Sequence, residues 1–304
     1  MSEEPISFRK LSGSGNDFIC LDNRLGQFEP LVTSGRIDRF VRVLCRRGLG
    51  AGADGVILAS PTDLLPGLVL LARFYDADGT EAALCGNGTA CFVRWALDAG
   101  WSGQDEEVRA LTSAGVVHGR RIDDRYVRVC LPSPEDVRLG LSVQTGERTW
   151  QCDYITVGVP HLVTFVDNVE QIEVSHWGRL LRQHPMFAPG GVNANFVQVL
   201  APGRLAVRTF EFGVEDETLS CGTGSAASAI LATIRFHWSS TFMCAVEPVR
   251  IRARSGDELR IYFTLKGEQA SDLCLETVVR PVYDATLSAE LTRAALGQDD
   301  GGAG

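Results

Sequence analysis

Two short stretches of this 304-residue chain carry residue types that do chemistry. In "DADGTEAALCGNGTACFVRWAL" (76–97), Cys85 stands directly before a Gly-Asn-Gly step and an apolar helical run. In "VEDETLSCGTGSAASAILATI" (214–234), Cys221 stands before Gly-Thr-Gly and a second such run. Glycines opening a helix let the backbone come close to a ligand, and the free N–H groups of the first turn bind an anion. The same helix end lowers a cysteine's pKa and raises its thiolate fraction. Each turn therefore combines a base with a nest for a carboxylate. Two such turns facing inward would hold one carboxylate from both sides, with a sulfur on either face of the adjacent carbon. That arrangement suits 1,1-proton transfer. One thiolate removes the α-proton, the N–H groups stabilise the enolate-like charge, and the opposing thiol returns a proton.

Other uses of the same residue types were weighed. A free cysteine is more often a small buried hydrophobe than a catalyst, which is the expectation for Cys20, Cys45, Cys130, Cys152, Cys244 and Cys274. Cys91 shares a helix with Cys85 and is expected in the core. Glycine turns also bind nucleotide phosphates, but neither turn has the full Gly-x-Gly-x-x-Gly spacing and no Walker lysine follows. The nine cysteines include no Cys-x-x-Cys pair, so neither a structural zinc site nor a thioredoxin-type pair is expected, and no metal or cofactor. Reduced thiols throughout are the economical reading.

The elements that must position these turns are mostly strands. "VILAS" (56–60), "LVLLARFY" (68–75), "YVRVCLP" (126–132), "LVTFVDN" (162–168), "NFVQVL" (195–200) and "LAVRTFEF" (205–212) have β-branched or alternating patterns. Ala-Pro-Gly-Arg joins the last two as a hairpin. Helices are expected over 38–48 and after each of the two cysteine turns. The halves also repeat. "GNDFICLDN" (15–23) precedes the first cysteine turn as "GVPHLVTFVDN" (158–168) precedes the second. An α+β architecture of two similar domains follows, with the site in the cleft between them. The two prolines of "LPSPEDV" (131–137) mark the boundary, giving residues 1–132 and 133–278. Residues 279–296 are a segment that could complete the first domain, and 297–304 a solvated, disordered tail.

Composition narrows the partners. An apolar content of 45%, a net charge of −9 and a pI near 5.1 describe an ordinary soluble chain with no basic block, so nucleic acid and anionic membranes are not expected partners. No run is long and apolar enough for a membrane span, and "MSEEPISFRK" lacks a signal-peptide core, so a cytoplasmic location is expected.

The segments "KLSGSGNDFICLDN", "DADGTEAALCGNGTACFVRW", "GVPHLVTFVDN", "GVNANFVQV" and "FEFGVEDETLSCGTGSAASA" resemble, in order and spacing, the signatures of the diaminopimelate epimerase family. The resemblance implies two domains, each a barrel-like sheet around a central helix. It also implies cofactor-independent epimerisation of an amino-acid α-carbon in lysine and peptidoglycan precursor synthesis, LL-diaminopimelate becoming the meso form. By motif, Cys85 and Cys221 are the acid/base pair, and Gly86, Asn87, Gly222 and Thr223 cradle the α-carboxylate. Asn16, His161 and Glu211 line the reacting centre, His161 and Glu211 helping to set the sulfurs' protonation. Asp78, Thr80 and Glu81 lie in the same signature but read as turn and cap residues. A small-molecule amino acid is the partner expected, and a homodimer is a possible assembly.

The departures concern the far end of the substrate. Where the family has asparagines, Asp76 and Val159 stand here, while Asn193 keeps a third. Where the family has an arginine after the glutamate, Phe212 stands. Losing that guanidinium removes the bidentate partner of a distal carboxylate. Phe212 and Asp76 together suit a cationic or aromatic tail. A racemase of the same mechanism for another amino acid is therefore the alternative. A non-catalytic amino-acid-binding or thiol redox protein is a third reading. Proline racemase-like proteins also pair cysteines across a cleft, so the mechanism does not by itself choose the family.

Overall fold

The computed structural model describes residues 5–62, 70–102, 107–146 and 148–297. Its first half begins with β1 (Ser7–Gly13) and β2 (Asn16–Asp22), followed by α1 (Glu29–Thr33) and α2 (Ile37–Cys45). Then come β3 (Gly55–Pro61), β4 (Leu70–Asp76), the short β5 (Glu81–Ala82) and the long helix α3 (Gly86–Asp98). Strands β6 (Glu107–Thr112), β7 (Gly115–Arg121) and β8 (Tyr126–Cys130) end it. The second half opens with β9 (Glu135–Thr145), β10 (Arg148–Val157), β11 (Val159–Phe165) and α4 (Val174–Arg182). It continues through β12 (Asn193–Ala201), β13 (Arg204–Glu211), β14 (Asp216–Thr218), α5 (Gly222–Arg235) and α6 (Ser240–Met243). Strands β15 (Val249–Arg252), β16 (Glu258–Lys266) and β17 (Gln269–Thr286), then α7 (Ala289–Leu296), complete the order.

Strand pairing repeats step for step. β1–β2 is antiparallel, β2–β3 parallel, β3–β4 antiparallel and β4–β6 parallel; β10–β11, β11–β12, β12–β13 and β13–β15 do the same in turn. Parallel neighbours need a crossover. Helices α1 and α2 supply it between β2 and β3, and α4 between β11 and β12. The first circuit closes, because β8 pairs with β17 and residues 279–286 of β17 pair back with β1. Strand β17 also pairs with β16 and so belongs to both sheets. The expected hairpin at Ala201–Arg204 is present. The expected strand 68–75 is β4, its first two residues lying outside the described ones. Of the expected tail, Gly297 caps α7 in the left-handed conformation, and 298–304 lie outside the described residues.

Burial explains the layering. Successive residues of β2, β3 and β4 alternate between two cores: Phe18, Cys20, Ile57, Ala59, Ala72 and Phe74 face α3, while Ile19, Leu21, Val56, Leu58 and Tyr75 face α1 and α2. Strands buried on both faces read as continuous apolar runs. Helices α3 and α5 are buried nearly all round, as a helix inside a barrel must be. One thiol expectation is overturned. Cys130 of β8 and Cys274 of β17 are opposite one another with Cα atoms 4.1 Å apart and form a disulfide. Only the meeting of strands 144 residues apart brings them together, and no spacing rule in the sequence encodes that pairing.

The ends of α3 and α5 meet head to head over Leu275, which is fully buried in β17. A Cβ on Gly86 would lie 3.1 Å from Leu275 Cδ2 and 3.5 Å from Gly222 Cα. A Cβ on Gly222 would lie 2.9 Å from Leu275 Cδ2 and 3.3 Å from the Asn87 nitrogen. Only glycine allows this approach. Leu275→Ala is expected to cost about 2–5 kcal/mol of unfolding free energy, read from denaturant melts, because it hollows the seat of both helix ends. A loss below about 1 kcal/mol would contradict this packing account.

Candidate active site

Each cysteine occupies the N-cap of its helix. Cys85 is extended, and its sulfur accepts the Gly88 N–H at 3.3 Å; Cys221 does the same with Gly224, also at 3.3 Å. Sulfur thus takes the place usually held by a Ser, Thr or Asp oxygen. The first N–H groups of each helix, on Gly86, Asn87, Gly222 and Thr223, have no intrahelical acceptor and lie where the two ends meet. The side chain of Asn87 spans the junction. Its Nδ2 donates to the Ser220 carbonyl at 3.0 Å, and its Oδ1 accepts from Thr277 at 3.4 Å. Asn87 therefore offers a ligand its backbone rather than its amide.

The two sulfurs differ in what faces them. Asn16 Nδ2 donates to Asp54 Oδ2 at 3.0 Å, and Asp54 also accepts from the Asp17 N–H and from Arg47. A carboxylate only accepts, which turns the Asn16 carbonyl oxygen toward Cys85 at 3.7 Å. Cys85 is therefore the donor and holds its proton. Cys221 instead lies 3.6 Å from the Thr223 hydroxyl and within electrostatic reach of the Glu211 carboxyl. Thr218 donates to the same Glu211 carboxyl. Glu211 acts electrostatically on both sulfurs, and Cys85 acts on Cys221, so these three groups share one site.

Burial dominates their ionisation. It pushes the Cys85 thiol up to about 12 and Cys221 well above its ordinary value, against the N–H groups that favour thiolate. The expected lowering by the helix ends is thus overturned, because desolvation outweighs the one or two N–H groups that face each sulfur. Burial likewise raises Glu211 to about 7, and burial with Asp78 nearby raises Asp76 to about 6. His161 is fully buried and pushed down to about 3, so it is neutral. Asn195 Nδ2 lies 3.3 Å from its Nδ1, and the Asn195 oxygen accepts from Thr209 at 2.9 Å, which assigns the imidazole proton to Nε2. Among the described residues no hydrogen bond joins His161 to either sulfur. It stands behind Asn195, whose oxygen abuts Gly224.

At the far end, Asp76 shares the inner face of β4 with Phe74, and a Cβ on Gly213 would lie 3.0 Å from its Oδ2. Asp76 thus reaches from the first half to the second. Asn193 is buried, and its Oδ1 accepts the Phe212 N–H at 2.7 Å. The Phe212 ring is half-exposed, with the Arg182 guanidinium 4.5 Å from its centre. Val159 begins β11 and offers no hydrogen-bonding side chain. Sequence reasoning missed Asp54, Asn195, Thr218 and Arg182. Asp54 in "GADGVI" and Asn195 in "NANFV" are polar residues beside apolar runs, the one signal that could have marked them.

Comparison with known proteins places this geometry. The sequence profile described as Diaminopimelate epimerase matches residues 8–129 and 154–257. The diaminopimelate epimerase of Aquifex aeolicus is 37% identical over 289 residues, covering 94% of this chain and 99% of that protein. That of Chlorobaculum tepidum is 34% identical, covering 91% of this chain and 100% of its own. Among solved structures, a probable proline racemase from Agrobacterium radiobacter superposes with a TM-score of 0.73 at 17% identity, covering 95% of each chain. A Bacillus anthracis phenazine biosynthesis protein of the PhzF family gives 0.67 at 11% identity, over 94% of this chain and 99% of that one. These two share the α+β fold of paired, repeated domains; the sequence matches go further, and the chain belongs to the diaminopimelate epimerase family of isomerases.

Proposed function

We propose that this protein inverts an amino-acid α-carbon without a cofactor, converting LL-diaminopimelate to the meso form, with Cys85 and Cys221 as the two acid/base groups. The observation that carries the reading is the pair of thiols capping two helices that meet end to end. The α-carboxylate sits between the helix ends and takes the N–H groups of Gly86, Asn87, Gly222 and Thr223. Its negative charge is what the facing helix dipoles lack. Glu211 is the group beside Cys221 able to receive its proton. The resulting thiolate removes the α-proton from one face, and the Cys85 thiol, held protonated by Asn16, delivers a proton to the other. One C–H bond breaks and one forms, leaving the sulfurs' protonation exchanged. The helix-end N–H groups stabilise the enolate-like charge between these events. His161, neutral and set by Asn195, holds the floor of the second half and moves no proton. The location that fits is the cytoplasm.

A second reading, a racemase for another amino acid, is favoured by Phe212 in place of the family's arginine.

Cys85→Ala and Cys221→Ala should each lower epimerisation by about 10²–10⁴-fold. The measurement is α-proton exchange of LL-diaminopimelate in deuterated water under reductant, followed by NMR. Full activity in either variant would end the two-base assignment. Exchange confined to another amino acid would select the second reading.

The carboxyls predict a pH signature in the ligand-free protein. Their folded pKa values, about 7 for Glu211 and about 6 for Asp76, lie above ordinary carboxyl values. Below those ordinary values both folded and unfolded states are protonated. As pH rises through the folded values, the unfolded state has already ionised and wild type loses stability. Glu211→Gln and Asp76→Asn should therefore melt higher than wild type at pH 8 and alike at pH 3. Equal offsets at both pH values would contradict the burial of these groups.

A further inference from the structure

The distal half of the cleft offers acceptors where a second carboxylate needs donors. Asp76 has no hydrogen bond to its side chain and no ion-pair partner among the described residues, and the carboxyls that act on it electrostatically, Asp78 and Glu211, are acidic like itself. The one arginine beside Phe212 is already committed. Arg182 donates through Nε to Glu215 at 3.1 Å, lies 3.1 Å from the same carboxylate through Nη2, and donates through Nη1 to the Gly190 carbonyl at 2.9 Å. Its face rests on the Phe212 ring. It holds that ring rather than replacing the missing guanidinium. Asn193 adds only a neutral amide, and its oxygen already holds the Phe212 N–H. A neutral hydrogen bond is weaker than one made by a charged group.

We infer that the distal half is a cation receptor. In it Asp76, reaching across to Gly213, pairs with a positively charged side-chain terminus. The substrates are then α-amino acids with a cationic tail, and LL-diaminopimelate is read through its second ammonium instead of its second carboxylate. This rests on the function proposed above. It adds that Asp76 determines specificity and that a distal carboxylate is dispensable.

The test compares α-deuterium incorporation into LL-diaminopimelate, L-lysine, L-ornithine, L-norleucine and L-2-aminoadipate by the reduced full chain. Lysine or ornithine should react with kcat/KM within about tenfold of LL-diaminopimelate, and norleucine and aminoadipate about ten- to a hundredfold more slowly. Asp76→Asn should erase the lysine-over-norleucine preference while Asp76→Glu retains part of it. Phe212→Arg should shift the ratio toward LL-diaminopimelate. LL-diaminopimelate reacting more than a hundredfold faster than lysine would overturn the inference, as would norleucine matching lysine or an Asp76→Asn ratio like that of wild type. Absence of exchange on every amino acid would instead overturn the proposed function. Calorimetric titration with lysine and norleucine then decides the receptor separately: tighter lysine binding, lost in Asp76→Asn, supports it, and equal binding refutes it.

Discussion

Two helix N-termini pressed against each other are the constraint from which most of this structure follows. Each end carries roughly half a positive charge from its unpaired N–H groups, so the pair repel unless an anion lies between them. The protein holds them there by other means. Closed and partly closed sheets wrap each helix, Leu275 seats both ends, and the Asn87 amide bonds across the junction to Ser220. The glycines at 86 and 222 are the steric condition for contact, and the cysteines satisfy one N–H on each side while leaving the rest for a ligand. The electrostatic arrangement is therefore preformed, as the proposed proton transfer requires.

The same interior that makes those dipoles effective penalises charge on everything else. Burial raises both thiols, Glu211 and Asp76, and lowers His161, so the thiols and the imidazole rest neutral while the two carboxyls ionise only as pH approaches about 6 to 7. Positive potential belongs to the backbone at one end, and latent negative charge to carboxyls at the other. Asn16 and Glu211 break the near symmetry of the duplicated turns, giving one sulfur a hydrogen-bond acceptor and the other a neighbouring carboxyl.

Much of this was legible in the sequence because it is local. Apolar residues all round the runs after Cys85 and Cys221 require enclosed helices, and the Pro-Gly turn at 202–203 requires a hairpin. The repeated cysteine turns pointed to a paired site for the same reason. What escaped notice is non-local or half-exposed. β9 is mostly exposed and has no apolar run to betray it, and the outer end of β17 is exposed as well. The Cys130–Cys274 bond depends on which distant strands meet. Thiol pKa values depend on how completely the cleft excludes water, and burial reversed the direction that the helix ends alone suggest. The Asp54 and Asn195 contacts join residues from different strands, beyond the reach of any spacing rule.

Strand β17 deserves a mechanical reading. Its residues 274–276 are bonded to β16 on one side and 274–278 to β8 on the other, and the same strand continues along β1. The two halves are thus not jaws on a slack tether. They are joined through an unbroken ribbon of peptide hydrogen bonds, pinned further by the disulfide to β8. Such a ribbon couples the two lobes mechanically, so that a bend in one sheet is carried along β17 into the other.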